Sequence, residues 1–169
     1  WEAGHFPKGQ RDYPVSGVSW YEASAYAVFV GKSLPAFPQW YEAIEPNVAS
    51  YVIQMSNISR DKPAPVGSFH DVGVYGTHDL AGNIREWTLN AFGDSRFILG
   101  GAWDSQTYYY TEPEVLLPFD RSAENGFRCV QNVIPLPPAA AQAFKPIERD
   151  FAKVKPISDE MFRAYTAPY

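Results

Sequence analysis

Tyr75-Gly76-Thr77-His78-Asp79-Leu80-Ala81-Gly82-Asn83-Ile84-Arg85-Glu86-Trp87 is the stretch on which the reading of this chain turns. Glycine at 82 lets the backbone bend sharply, because no Cβ restricts its φ. Asp79 and Glu86 flank the bend with carboxylates able to accept from backbone amides. Trp87, at its end, is large and apolar enough to be driven into a core beside the turn.

Working outward toward the N-terminus, the clearest helix is predicted over 20–30. Ser19 and Glu22 form a capping box and Gly31 supplies the stop, while Trp20, Ala23, Ala27 and Val30 recur at spacings of three and four. That recurrence gives one apolar face. A shorter helix is predicted over 38–44, with Pro38 in its first turn and Trp40 and Ala43 or Ile44 facing inward. Residues 48–69, broken by Asn57, Asp61, Pro63 and Pro65, read as loop.

Toward the C-terminus, Arg96-Phe97-Ile98-Leu99 ahead of the Gly100-Gly101 pair and Gly126-Phe127-Arg128-Cys129-Val130 read as short strands. Beyond Val133 the composition changes to Ile134-Pro135-Leu136-Pro137-Pro138 and then Ala139-Ala140-Ala141, an extended exit and linker. A short helix over 158–165, capped by Ser158 or Asp159, would belong to a following region. The expected organisation is one domain over 1–134, followed by a linker and the start of another region over 135–169.

Taken together, three segments resemble the sulfatase-modifying-factor family, that of the formylglycine-generating enzymes. They are Pro14-Val15-Ser16-Gly17-Val18-Ser19-Trp20-Tyr21-Glu22-Ala23 with Gly31-Lys32-Ser33-Leu34-Pro35, the turn quoted first, and Gly100-Gly101-Ala102-Trp103 with Gly126-Phe127-Arg128-Cys129. They occur in order from Pro14 to Val130. The resemblance implies an α+β, irregular, loop-rich fold of the C-type-lectin-like formylglycine-generating type, lacking here the strand and helix with which family domains begin. It also implies a copper site built on two thiolates after the Gly-Gly-x-Trp turn, at positions that hold Ser105 and Tyr110. Neither supplies a soft ligand, so copper is not expected. Cys129, alone in an apolar strand, reads as a small core residue.

The family's calcium site would fall on the Asp79 side chain, the Gly82 and Ile84 carbonyls and the Glu86 carboxylate, hard oxygen donors that suit Ca²⁺. The alternative is a turn in which Asp79 and Glu86 only bond backbone amides, and both readings stay open. A second family site would use Asn57-Ile58, but the loop from Ile58 to Pro65 is short for it. Ser105, Tyr108 and Tyr110 fall where the family's substrate groove lies and form the candidate ligand-binding surface; packing of one of the three tyrosines 108–110 into the core is the competing reading.

Composition limits the partners. With a net charge of −5 and a pI near 5.1 there is no basic stripe for nucleic acid. No apolar run reaches the roughly 20 residues of a membrane span. One cysteine permits neither an internal disulfide nor a cysteine zinc cluster, and His5, His70 and His78 lack the spacing of a metal site. Aromatics at 16%, 15 prolines and 12 glycines describe a loop-rich fold.

The expected function is a non-catalytic module that binds a protein or small-molecule ligand, or neighbouring domains of its own polypeptide. The alternative is a formylglycine-generating-type oxidase on the same scaffold. The loss of both thiolates favours the first, and compartment stays open. The run Trp1-Glu2-Ala3-Gly4-His5-Phe6-Pro7-Lys8-Gly9 and the tail from Arg149 to Glu160 resemble bacterial proteins that join such a module to a serine/threonine kinase, which implies a sensory or docking role.

Overall fold

The structure, a computed structural model, describes residues 6–145, 151–153 and 155–167. Trp1 to His5, Arg149, Asp150 and Val154, which carry part of the kinase-linked resemblance, lie outside these. Among the described residues, four helices, four short strands and several 3₁₀ turns make an α+β fold. The helices are α1 (Trp20–Phe29), α2 (Phe37–Ile44), α3 (Ala49–Gln54) and α4 (Asp159–Thr166); the strands are β1 (Arg85–Phe92), β2 (Ser95–Leu99), β3 (Glu114–Leu116) and β4 (Asn125–Gly126).

The predicted capping box opens α1. Ser19 Oγ accepts from the Glu22 amide at 3.3 Å, and Glu22 Oε2 accepts from the Ser19 amide at 2.9 Å. Val30 closes the helix as its C-cap, and Ala23 and Ala27 are wholly buried. At α2 the cap is remote: the Phe37 amide donates to Asn90 Oδ1 at 2.6 Å, so a buried residue of β1 satisfies an orphan donor of the helix.

The sheet runs β3-β2-β1-β4, with β1 antiparallel to β2 and parallel to β4. Gly93 and Asp94 close the β1–β2 hairpin, where Phe92 pairs with Ser95. Side chains alternate across the sheet. Phe97 and Leu99 enter a core built on Trp40, Ile44, Leu80 and Tyr110, whereas Ile98 and its partner Trp87 enter a second core with Ala23, Ala27 and Leu34. Glu86, one residue before Trp87, therefore lies on the Trp40 side.

Two expectations need correction. Residues 48–69 are not all loop, because α3 forms there without a capping side chain, through burial of Val52 against the Trp40 core. The closing strand over 126–130 pairs regularly only at Asn125–Gly126; beyond that, Val130 makes one isolated bridge, to Ser33. β1, the longest strand, and β3 were not anticipated. The segment read as a linker from 135 also packs back: Asn90 Nδ2 donates to the carbonyls of Ala140 and Gln142, both at 2.8 Å, and Phe144 packs edge-on to Phe37 and Phe97. The predicted helix at 158–165 forms as α4, capped by Ser158, with Met161, Phe162 and Tyr165 exposed.

Candidate functional site

Glu86 is placed by the sheet. Its neighbours in register are Leu99 on β2 and Gly126 on β4, and the chain leaving β4 carries Arg128 over the Glu86 carboxylate. Arg128 grips both oxygens, Nε to Oε2 and Nη2 to Oε1, each at 2.6 Å, while the Trp40 indole donates to Oε2 at 2.8 Å. Nη2 also donates to the carbonyls of His78 and Asp79 at 3.1 and 3.3 Å. One guanidinium thus holds the quoted turn against the strand that follows it. Glu86 is only 4% exposed. Burial, the largest single influence on Arg128, would lower its pKa. The charge and hydrogen bonds of Glu86, with the charges of Asp79 and Asp71, outweigh it and leave the pKa raised.

The bend itself is tightly packed. A methyl group at Gly82, where φ is +79°, would sit 2.2 Å from the Asn57 carbonyl oxygen. Gly82 donates to the Gly100 carbonyl, and Asn83 donates to Asn57, each at 2.8 Å. Asn83 Oδ1 accepts from Asn57 Nδ2 and from the Ala64 amide, at 3.2 and 2.9 Å. These bonds tie the 57–64 loop to the turn and occupy the Asn57 side chain.

Just ahead of the bend, carboxylates are less well provided. Asp71 is 1% exposed, and no full hydrogen bond reaches either of its oxygens. Its pKa is pushed up to about 6, first by burial and then by the charge of Asp79; the nearby backbone amides of Asp79 and Asp71 and the charge of His78 offset this only in part. A raised carboxyl pKa favours the fold in acid, an advantage lost as pH rises through about 6. Asp79 holds the Gly67 amide at 2.6 Å through Oδ2, but its buried Oδ1 has no partner.

A cavity of about 760 Å³ opens above this centre, walled by Val15, Val18, Tyr26, Val66, Ile84 and Phe127, with His78, Asp79, Glu86, Arg128 and Cys129 adding polar groups. Its size and mainly apolar lining suit a small molecule or an inserted side chain. Cys129 is half-buried, and burial pushes its thiol pKa up despite Lys32, so it lacks the character of a reactive thiolate.

The predicted site residues separate. Asp79, Ile84 and Glu86 border the cavity, and Gly82 lies behind it against Asn57. A calcium ion on Asp79, Gly82, Ile84 and Glu86 does not fit this arrangement. Both Glu86 oxygens face the Arg128 guanidinium, and a divalent cation there would meet that positive charge. Ser105 Oγ is a turn acceptor for the Ala102 amide at 2.9 Å. Tyr110 is core, 1% exposed, its hydroxyl on the Ile44 carbonyl at 3.2 Å and its pKa pushed up to about 12 by burial and then by Asp71. Only Tyr108 of that trio is exposed, stacked at a tilt on Tyr109. Reading the sequence missed Arg128, Trp40 and Asp71 as site residues. The available signal was an arginine inside an otherwise apolar run, Phe127-Arg128-Cys129-Val130, which demands a buried acid.

Residues 2–133 match the family described as sulfatase-modifying factor enzyme 1-like domain. The chain belongs to that family. Among its sulfatase-modifying-factor relatives is a serine/threonine-protein kinase, pkn1, of Chlamydia caviae, 34% identical over 93 residues, which make up 50% of this chain and 15% of the kinase. Another is the inactive C-alpha-formylglycine-generating enzyme 2 of Bos taurus, 29% identical over 117 residues, 54% of this chain and 39% of that protein. The chain thus spans well under half the length of either. Among solved structures, CarF superposes with a TM-score of 0.61 at 16% identity, covering 75% of this chain and 70% of CarF. That likeness concerns the fold alone.

Proposed function

We propose that this domain is a non-catalytic sulfatase-modifying-factor module that binds a protein or small-molecule ligand in the cavity beside Arg128, as the docking or sensory part of a larger protein. The observation that carries this reading is the cavity's make-up: apolar walls around a charged floor whose arginine and glutamate are already committed to each other. Such a floor can orient a polar group, and its paired arginine and glutamate are not free to act as base or nucleophile. The positions implied for the oxidase's thiolates carry a turn-forming serine and a core tyrosine. Kinship with a kinase and with a formylglycine-generating enzyme named inactive supports the same reading.

Two measurements on the full chain test it. Supplied with Cu(I), oxygen and a cysteine-containing peptide, the protein should leave the peptide's mass unchanged; conversion of the cysteine to formylglycine would establish the oxidase reading instead. The fluorescent probe 1-anilinonaphthalene-8-sulfonate should bind the folded protein, and Val18→Arg, which places a charged chain in the cavity, should abolish that binding. Binding that survives Val18→Arg in a folded protein would place the receptive surface elsewhere.

A further inference from the structure

Arg85, Arg121 and Arg128 each have an acid as partner. A different set of cations gathers around Tyr13. Arg60 and Lys62 line a cavity of about 270 Å³ together with Tyr13, Pro63, Pro65 and Phe69, and Arg11 lines an adjoining cavity that shares Tyr13. Among the described residues none of these three cations forms an ion pair. Asp61 is the one acid in either lining, so this face is positive on a chain whose net charge is −5. Uncommitted cations beside a concave surface make a local positive potential that draws in anions.

The loop that presents Arg60 and Lys62 is fixed by buried groups. Ser59 donates twice to the Ser105 carbonyl, through its hydroxyl at 2.9 Å and its amide at 3.1 Å, and the Arg60 amide donates to the Trp103 carbonyl. Asn57 Nδ2 donates to the Lys62 carbonyl at 3.2 Å. Asn83 brackets Ala64, accepting from its amide at 2.9 Å and donating to its carbonyl at 3.1 Å. Both asparagines are almost wholly buried. Pro63 and Pro65 restrict φ on either side of Ala64, and the Val66 amide donates to the Asp12 carbonyl at 2.8 Å, joining the loop to the segment that carries Arg11 and Tyr13. A backbone held in this way has little freedom left to lose when a ligand binds.

The walls narrow the ligand. The Arg60 guanidinium carbon lies 5.8 Å from the centre of the Phe69 ring, a contact that keeps its charge at the cavity wall. Tyr13 and Phe69 are half-buried and offer flat faces beside it. A cavity of this size falls just short of those that enclose a whole small molecule, and it takes a single group or side chain. An arginine fork matches the paired oxygens of carboxylate or phosphate, and a lysine adds a point charge.

We propose that the cavity between Tyr13 and Phe69 is an oxyanion site, in which Arg60 and Lys62 hold the carboxylate or phosphate of one side chain of a peptide ligand while the rest of that side chain lies against the two rings. This inference does not depend on the role proposed for the larger cavity, in whose lining neither Arg60 nor Lys62 takes part.

The test uses the full chain and three fluorinated probes of one shape, fluorophenyl phosphate, fluorobenzoate and the uncharged fluorobenzyl alcohol, observed by broadening of their fluorine NMR signals. The two anions should bind and the alcohol should not. Arg60→Gln combined with Lys62→Gln should weaken binding of the anions at least about tenfold, because hydrogen bonds to a charged group are lost, and molar salt should weaken it in the parent protein. Both side chains are exposed, so the double variant should melt as the parent does. Tighter binding of the phosphate assigns the site to a phosphorylated side chain, and tighter binding of the benzoate to an aspartate or glutamate; either ranking supports an oxyanion site. Equal binding of the alcohol, binding of the anions that persists in molar salt or in the double variant, or no binding of either anion at millimolar concentration overturns the proposal.

Discussion

Two glutamate–arginine pairs do different work in this molecule. Glu22 and Arg121 meet at the surface, where the carboxylate also serves the capping box of α1, and the two side chains keep 44% and 61% of their exposure. Glu86 and Arg128 meet under the cavity, with exposures of 5% and 27% and a tryptophan indole as third member. The chemistry of the two forks is the same, and what differs is the water. In the first pair solvent stands ready to replace either partner; in the second, loss of one partner strands a charge.

Removing the arginine separates the two pairs most directly. Arg128→Met should cost about 3–5 kcal/mol in urea denaturation, because it leaves Glu86 unpaired in the Trp40 core. Combining it with Glu86→Gln should recover much of that loss, since the stranded charge then disappears. A double variant as unstable as the single one would show that packing of the arginine stem matters more than its charge.

Trp40→Phe keeps most of the apolar volume but removes the indole donor 2.8 Å from Glu86. The expected cost is about 1.5–3 kcal/mol, the range for a hydrogen bond to a charged group. A loss no larger than that of an ordinary aromatic replacement would show that Arg128 alone satisfies the carboxylate.

Arg121→Ala should give a small loss of stability that shrinks further in high salt, measured by thermal melting at low and high ionic strength. If it matched Arg128→Met, exposure would not be what separates the pairs.

The smallest effect is in acid. The Glu22 pKa is lowered to about 2, chiefly by Arg121, then by the amide and hydroxyl of Ser19. A depressed carboxyl pKa stabilises the fold above the usual carboxylate range and ceases to do so as pH falls toward 2. Glu22→Gln should therefore flatten the decline in melting temperature below about pH 4.5. An unchanged decline would assign acid sensitivity to other groups.

The limits of legibility follow from range. The α1 capping box was readable because Ser19 and Glu22 are three residues apart and their geometry is that of one helical turn. The hairpin of β1 and β2 carries a comparable local signal in Gly93-Asp94 between apolar runs. α3 had no local signal at all: it has no capping side chain, and it exists because Val52 finds the Trp40 core.

By itself the sequence determined the family, through motifs held in order from Pro14 to Val130, and with it the α+β architecture, the burial of Trp87 and the absence of both thiolates at residues 105 and 110. Tertiary structure alone decided what the carboxylates do. Glu86 and Arg128 are 42 residues apart, and only the parallel pairing of β1 with β4 makes them neighbours. Burial decided the rest: Tyr110, one of three adjacent tyrosines, became core and Tyr108 surface, and Asp71, unremarked in the sequence, became the most deeply buried acid of the described chain. Local preferences act over a helical turn or a hairpin, whereas desolvation depends on everything that packs around a group, so a charge's partner is settled only when the chain has closed.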